Sequence, residues 1–305
     1  MKNFFIYLIF ISNLLFAQKL TVNNNTSIKL WSNNKIPDGT GPSGEPIISN
    51  QGSLTNISIP KINVYSPEKT NGIGILIIAG GGYAHIELGK ESQPTAKWLK
   101  SLGITVFELE YRLPQENWKS TIVPFQDAQR AMRIIRSKAN EFDLDVNKIG
   151  ILGFSAGGHL ASYLSSTYST NFYNPIDKID SISAKPNFSI LIYPIISMLP
   201  PNNKTHSFKS ILGKNPTKEN EIKFSVEKQV NSKTPITFIA QAVDDPISPV
   251  DNSLLMFNAL KENHIDVEMH LFQNGGHGWG LGKKGTDTER WPSLMITWLK
   301  NNQIL

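Results

Sequence analysis

From position 61 onward, apolar residues come in short runs separated by longer stretches in which they recur every three or four positions. The runs at 61–65 (KINVY), 73–79 (IGILIIA), 104–110 (ITVFELE), 148–152 (KIGIL), 188–193 (FSILIY), 236–242 (ITFIAQA) and 266–272 (DVEMHLF) have strand length. Several are apolar at consecutive positions, as strands covered on both faces are. The stretches at 91–102, 123–140, 155–167, 251–263 and 290–302 have helical spacing, with Trp98, Leu99, Ile134, Ile135, Trp298 and Leu299 on core faces. This alternation predicts a mostly parallel central sheet flanked by helices. No period repeats, and no second domain is visible.

The first sixty residues break this rhythm. Lys2 precedes a nearly unbroken apolar run from Phe4 to Phe16, then Ala17 stands before Gln18 and an Asn-rich stretch. That order predicts a signal peptide over 1–17 and an exported protein, periplasmic or secreted. The run is shorter than the roughly 20 residues a membrane-spanning helix needs, so no stable membrane insertion is expected after cleavage. Residues 18–60, rich in Asn, Ser, Gly and Pro, read as an irregular lead-in arm on the surface. The main α/β domain then covers 61–305. Its one long insertion, 194–230, predicts loops and a short helix near the mouth of a site, with no large cap.

Composition narrows the picture further. A chain of 305 residues with 40% hydrophobic and 18% charged residues suits one large globular domain, and excludes a disordered or fibrous protein. There is no cysteine, which removes disulfides, thiolate metal sites and a cysteine nucleophile together. The formal net charge is +5, but the 30 Lys and Arg are scattered and never interleaved with aromatics, so no nucleic-acid partner is expected.

The chemistry concentrates at strand ends. Gly153, Phe154, Ser155, Ala156 and Gly157 spell G-x-S-x-G directly after the strand KIGIL and open a helical stretch, the setting of a nucleophile elbow in the α/β-hydrolase fold. A serine hydroxyl needs a base to take its proton, and the base needs a carboxylate to fix its tautomer. Of six histidines, His277 alone sits in a glycine-rich loop (GGHGWG) between a strand and the last helix. His159, four residues after Ser155 on the same helix, reads as a packing residue. For the acid, the strand ITFIAQA runs into the adjacent pair Asp244 and Asp245. The stretch D-P-I-S-P resembles the loop in which related hydrolases place their acid directly before a proline, a resemblance that implies Asp245, with Asp244 the alternative. Asp127 and Asp143 read as helix-surface charges. Gly81 and Gly82, just after the strand IGILIIA, with Ala156 after the nucleophile, are the expected oxyanion donors through their backbone N–H groups. Tyr83 and Trp279 flank these elements and are candidates to stack on a sugar or a phenolic ring, core packing being the alternative. The arrangement calls for no metal or cofactor.

The segments AGGGYAHIELGKESQPTAKWLKSLGITVFELEYRLP, GFSAGGHLASYL, SVEKQVNSKTPITFIAQAVDDPISPVDNS and GGHGWGL together resemble small bacterial α/β-hydrolases related to acetylxylan and feruloyl esterases. The resemblance covers most of the chain after residue 17, departing where Ala79 stands in place of the histidine that often precedes the glycine triplet. It implies a serine esterase acting on an acylated polysaccharide or oligosaccharide, removing acetyl or feruloyl groups from xylan. Three other readings stay open on the residues alone: a prolyl-oligopeptidase-like serine peptidase, a general short-chain carboxylesterase, and a non-catalytic binding protein on a hydrolase scaffold.

Overall fold

The computed structural model describes residues 26–32, 35–39 and 41–305; the expected signal peptide lies outside them. The elements follow in chain order. Strands β1 (Thr26–Lys29), β2 (Ile47–Ile48), β3 (Ser53–Thr55), β4 (Lys61–Tyr65), β5 (Gly74–Ile78) and β6 (Ile86–Glu87) precede helix α1 (Gln93–Ser101). Then come β7 (Thr105–Glu110), α2 (Val123–Ser137), β8 (Ile149–Phe154), α3 (Ser155–Thr167) and β9 (Phe188–Ile192). The chain ends with α4 (His206–Leu212), α5 (Lys218–Phe224), β10 (Ile236–Ala242), α6 (Asp251–Glu262), β11 (Val267–Phe272) and α7 (Trp291–Asn301).

Eight strands form one sheet in the order β1-β4-β7-β5-β8-β9-β10-β11. β1 and β7 pair antiparallel with β4, and every pair from β7 to β11 is parallel. Parallel neighbours need crossover connections, and the helices supply them on both faces. β5 shows how its run of aliphatics is used. Leu76 and Ile78 join the core under α2, α3 and α6, whereas Ile75 and Ile77 join the core under α1 and α7. Side chains alternate across a strand, so a strand buried on both faces must be apolar throughout. At about 1.5–3 kcal/mol for each buried large aliphatic side chain, these two layers are the main source of stability.

All seven expected main-sheet strands and all five expected helices are present, with boundaries shifted by a few residues. The start of the 91–102 helix differs: the chain first winds through a wider π-type turn, Leu88–Ser92, before α1 begins with Pro94 in its first turn. Insertion 194–230 forms α4, α5 and a single 3₁₀ turn, Val226–Lys228.

The lead-in arm is not the irregular surface segment its composition predicts. Thr26–Lys29 adds an edge strand to the main sheet, Leu30 and Trp31 are buried, and β2 and β3 form a small antiparallel sheet with β6. The reason lies partly in Asp127, which is fully buried and not a surface charge. Its carboxylate accepts hydrogen bonds from the Arg112 guanidinium at 2.8–3.0 Å, the Arg112 backbone N–H at 2.9 Å and Trp31 Nε1 at 2.7 Å. Arg112 in turn donates to the Pro37 carbonyl at 2.6 Å and to Gln126 Oε1 at 2.9 Å. One buried ion pair thus holds α2, the end of β7 and the arm together.

Removing one member of such a pair leaves the other charge buried without compensation. Asp127→Ala is expected to lower unfolding free energy by about 3–5 kcal/mol, whereas Asp143→Asn, at an exposed loop position, changes it by less than about 0.5 kcal/mol. Urea titration followed by tryptophan fluorescence checks this ranking, and equal midpoints for the two variants would refute it.

Candidate active site

β8 ends at Phe154 and α3 starts at Ser155 with no intervening loop. The turn forces Ser155 into the left-handed region, at φ +50°. Only small neighbours allow so sharp a turn. A Cβ on Gly153 would lie 2.2 Å from the Gly157 carbonyl oxygen, and one on Gly157 would lie 2.2 Å from that of Ile78.

The elbow brings Ser155 to His277 and Asp245. Ser155 Oγ and His277 Nε2 are 2.8 Å apart, and His277 Nδ1 lies 2.7 Å from Asp245 Oδ2. Because the carboxylate can only accept, Nδ1 carries the proton and Nε2 is left to accept from the serine hydroxyl. Asp245 is buried, and its other oxygen accepts from the Ile247 and Ser248 N–H groups at 2.8 and 2.9 Å. Gln241 Nε2 donates to Oδ2 at 3.2 Å. These donors fix the carboxylate's orientation before histidine arrives. Asp244, the alternative acid, is exposed and points elsewhere: its Oδ1 accepts from the Gly276 N–H at 2.7 Å, tying the acid loop to the base loop.

Gly81 and Gly82 line the same cleft as Ser155 and His277, at φ +113° and +63°. Among the described residues no backbone carbonyl takes the N–H of either glycine. Ala156, in the first turn of α3, carries one of the N–H groups that a helix cannot satisfy internally. Gly80 completes the loop for a steric reason: a Cβ there would lie 2.8 Å from that of Ser155. The arrangement therefore offers a hydroxyl with a base behind it, and unpaired donors beside it, which is what acyl transfer requires.

Two expected substrate-binding residues do not reach this cleft. Tyr83 is buried in the core, where its hydroxyl lies 2.8 Å from His159 Nδ1. His159 Nε2 lies 2.8 Å from the Phe224 carbonyl, so Nε2 donates, Nδ1 accepts from Tyr83, and burial lowers the imidazole to about 4. Trp279 is buried behind the base loop, edge-on to Tyr193 with ring centroids 4.5 Å apart, and near Phe272 and Trp291. Both aromatics are packing residues, because each sits in a left-handed or glycine-rich turn that folds its ring inward. The cleft, about 380 Å³, is lined instead by His85, Glu87, Lys90 and Glu91 from the segment after the glycine loop, by Ile195 and the start of α4 (Thr205, His206, Ser207), and by Ile247. The insertion thus forms one wall of the mouth, where its sequence position puts it.

Sequence reasoning also missed Glu91 and Tyr193. Glu91 is 3% exposed; burial pushes its carboxyl up to about 7, against the lowering effects of the Gly80 N–H, His277 and the Tyr193 hydroxyl. Tyr193 stands at φ +39° just beyond β9, its ring edge-on to the His277 imidazole with centroids 4.9 Å apart. A polar residue ending a parallel strand, on the edge where such folds place ligands, was the available signal for Tyr193. Glu91 had none, since one carboxylate at the start of a helix is ordinary.

Fold and site define an α/β-hydrolase. The chain belongs to the BD-FAE family, whose model matches residues 62–260. It is 32% identical over 222 residues to an acetylxylan esterase of Xylanibacter ruminicola, covering 72% of this chain and 43% of that protein. It is 36% identical over 212 residues to endo-1,4-beta-xylanase B of Butyrivibrio fibrisolvens, covering 67% and 32% respectively. The chain spans less than half the length of these two relatives. Among solved structures, an acetyl ester-xyloside bifunctional hydrolase from Caldicellulosiruptor lactoaceticus superposes with a TM-score of 0.80 at 33% identity, covering 92% of this chain and 97% of that one. The carboxylesterase Cest-2923 of Lactobacillus plantarum, at 21% identity and a TM-score of 0.67, shares the fold.

The geometry ranks the two candidate acids. With p-nitrophenyl acetate as substrate, Asp245→Asn is expected to lower kcat on the order of 10⁴-fold by losing the carboxylate that fixes the tautomer, and Asp244→Asn by less than about tenfold. The reverse order would move the acid to Asp244.

Proposed function

We propose that this protein is an exported serine carboxylic-ester hydrolase that removes acetyl groups from xylan or its oligosaccharides, with feruloyl ester cleavage as a second activity. The observation that carries the reading is the alignment of Ser155, His277 and Asp245 beside the Gly81–Gly82 loop at an open cleft. Ser155 Oγ attacks the acetyl carbonyl while its proton passes to His277 Nε2, and the carbonyl oxygen takes up the negative charge. The N–H groups of Gly81, Gly82 and Ala156 hold that oxyanion. Collapse breaks the bond to the sugar oxygen, which leaves with the proton from Nε2. Water then attacks the acetyl-serine and gives a proton to Nε2. The second collapse releases acetate and returns the proton to Ser155. Asp245 holds the imidazole and stabilises its cationic form throughout.

The cleft supports the substrate class. Ala84, Ile195 and Ile247 supply apolar lining, and His85, Glu87, Lys90 and His206 supply polar groups. A short acyl group on a bulky polar alcohol fits that division better than a long aliphatic chain, which needs an extended apolar tunnel. The names of the relatives point the same way: an acetylxylan esterase, a xylanase, and a hydrolase of acetyl esters and xylosides. Export is part of the proposal because a polymer is met outside the cell, and the Lys2, Phe4 to Phe16 and Ala17 pattern motivates it.

Two measurements test this. Acetate release from acetylated xylan is expected beside turnover of p-nitrophenyl acetate, both lost in Ser155→Ala by on the order of 10⁴- to 10⁶-fold in kcat. Cleavage of small acetyl and butyryl esters without deacetylation of xylan or xylo-oligosaccharides reduces the assignment to a general carboxylesterase. For export, N-terminal sequencing of the secreted or periplasmic protein is expected to start at or near Gln18, and recovery of Met1 contradicts it.

A further inference from the structure

The oxyanion donors and the base reach Ser155 on separate loops, residues 80–82 after β5 and residues 275–280 after β11. One side-chain link runs beneath the cleft between them. Glu91 Oε2 accepts from the Gly80 N–H at 2.5 Å, and Glu91 Oε1 accepts from the Tyr193 hydroxyl at 3.1 Å. The Tyr193 oxygen accepts in turn from the Gly280 N–H at 3.0 Å. The Tyr193 hydroxyl accepts from Gly280 and donates to Glu91, and the carboxylate accepts at both of its oxygens, so an ionised Glu91 sets which way the phenol proton points. Both loops also press on the Lys90–Glu91 segment at close range. A Cβ on Gly280 would lie 2.3 Å from the Lys90 carbonyl oxygen, and one on Gly80 would lie 3.1 Å from Glu91 Oε2. The π-type turn Leu88–Ser92 is what aims Glu91 inward, an irregularity often found at functional sites.

We propose that Glu91 and Tyr193 are positioning residues, a hydrogen-bonded bridge that holds the oxyanion loop and the base loop in register about Ser155. Neither exchanges a proton with substrate in this role. Glu91 anchors the peptide that precedes the Gly81 and Gly82 donors, and Tyr193 anchors the loop of His277 while its ring packs against the imidazole edge. The buried carboxylate also lies near His277, whose charge favours the ionised form of Glu91. The other ionisable groups around it are Glu87 and Lys90 on its own segment, Tyr111 beyond β7 and Tyr193 after β9, with Asp245 acting on Tyr193. The bridge is strongest with Glu91 ionised, because both of its bonds then run to a charged acceptor. Burial pushes the carboxyl up to about 7, so the bridge is at full strength above neutrality and weakens as pH falls.

The inference rests on ester hydrolysis at Ser155, so wild-type turnover of p-nitrophenyl acetate and its loss in Ser155→Ala come first; without them both proposals fall. With them in hand, Glu91→Gln, Tyr193→Phe and the double variant are compared in kcat, KM and pH profile, with melting temperature recorded alongside. Each single variant is expected to lower kcat on the order of 10- to 100-fold, the effect of a misplaced catalytic group, with KM within about threefold of wild type. The double variant is expected to lose no more than the worse single, because both break one bridge. Protonation of Glu91 is expected to contribute to the acid limb of the wild-type profile, and in Glu91→Gln the limb becomes shallower. Tyr193→Phe removes one oxygen and keeps the ring, so it decides the matter even where Glu91→Gln fails to fold. Variant kcat values near wild type, losses that multiply in the double variant, or an unchanged acid limb in Glu91→Gln would overturn the proposal.

Discussion

Ser155 stands at the end of a strand buried on both faces, with its backbone in the left-handed region and its hydroxyl turned to a cleft, and the surroundings are shaped to hold it there. A non-glycine residue in that conformation costs on the order of 1–3 kcal/mol, which a local turn cannot hold by itself. Here the turn is clamped from both ends. β8 lies between β5 and β9 in the middle of the sheet, and α3 is buried along nearly its whole length. The Ser155 carbonyl accepts from the Ile195 N–H at 3.1 Å, so even the strained residue's own backbone is tied to the next crossover. The three glycines nearest it, Gly80, Gly153 and Gly157, lack side chains because strand, helix and oxyanion loop meet there at contact distance.

Three buried carboxylates show different solutions to one electrostatic problem. A carboxylate taken out of water needs replacement donors or a partner charge, or it takes up a proton. Asp127 has a guanidinium, and the result is structural: it fastens the arm through Trp31 and Pro37 far from the cleft. Asp245 has two backbone N–H groups, Gln241 and the imidazole, all aimed so that one oxygen serves His277. Glu91 has one N–H and one phenol, with no cationic side chain bonded to it among the described residues, and burial pushes its carboxyl up to about 7. The incomplete compensation at Glu91 leaves a carboxyl whose charge state changes near neutrality close to His277.

What could be read from the sequence divides along the same physical line. Strand runs, crossover helices, the elbow at Ser155 and the Asp and His loops are local signals, set by periodicity, by glycine and by the chain order of the three residues. What escaped depends on distant partners. Asp127 has the spacing of a surface charge on α2 until Arg112, fifteen positions earlier, turns out to face it. Thr26–Lys29 is short and polar, and becomes a strand only because β4 offers an edge. Tyr83 and Trp279 border the right motifs, but whether a ring at such a position faces cleft or core is decided by which way a tight turn throws it. Glu91 and Tyr193 are 102 positions apart, and their bond follows from the fold alone.

The register of the parallel strands explains why a link between loops matters in this fold. Ile78 pairs with Gly153, Phe154 and Ala240 both pair with Ile192, and Ala242 pairs with Phe272, so the strand ends from β5 to β11 form one continuous edge. That edge brings Gly81, Ser155, Asp245 and His277 to the same side of the sheet. It fixes strand ends, however, whereas the reacting atoms sit one to five residues beyond them on segments with no ladder of their own. A serine hydroxyl, an imidazole and the peptide N–H groups beside them must agree to a fraction of an ångström for acyl transfer. Between the sheet's precision and that requirement, the remaining constraint has to come from bonds made by the loops themselves. Asp244 to Gly276 supplies one on the open side, and Glu91 with Tyr193 supplies the other on the buried side, where low polarity strengthens a charged hydrogen bond and water does not compete for it.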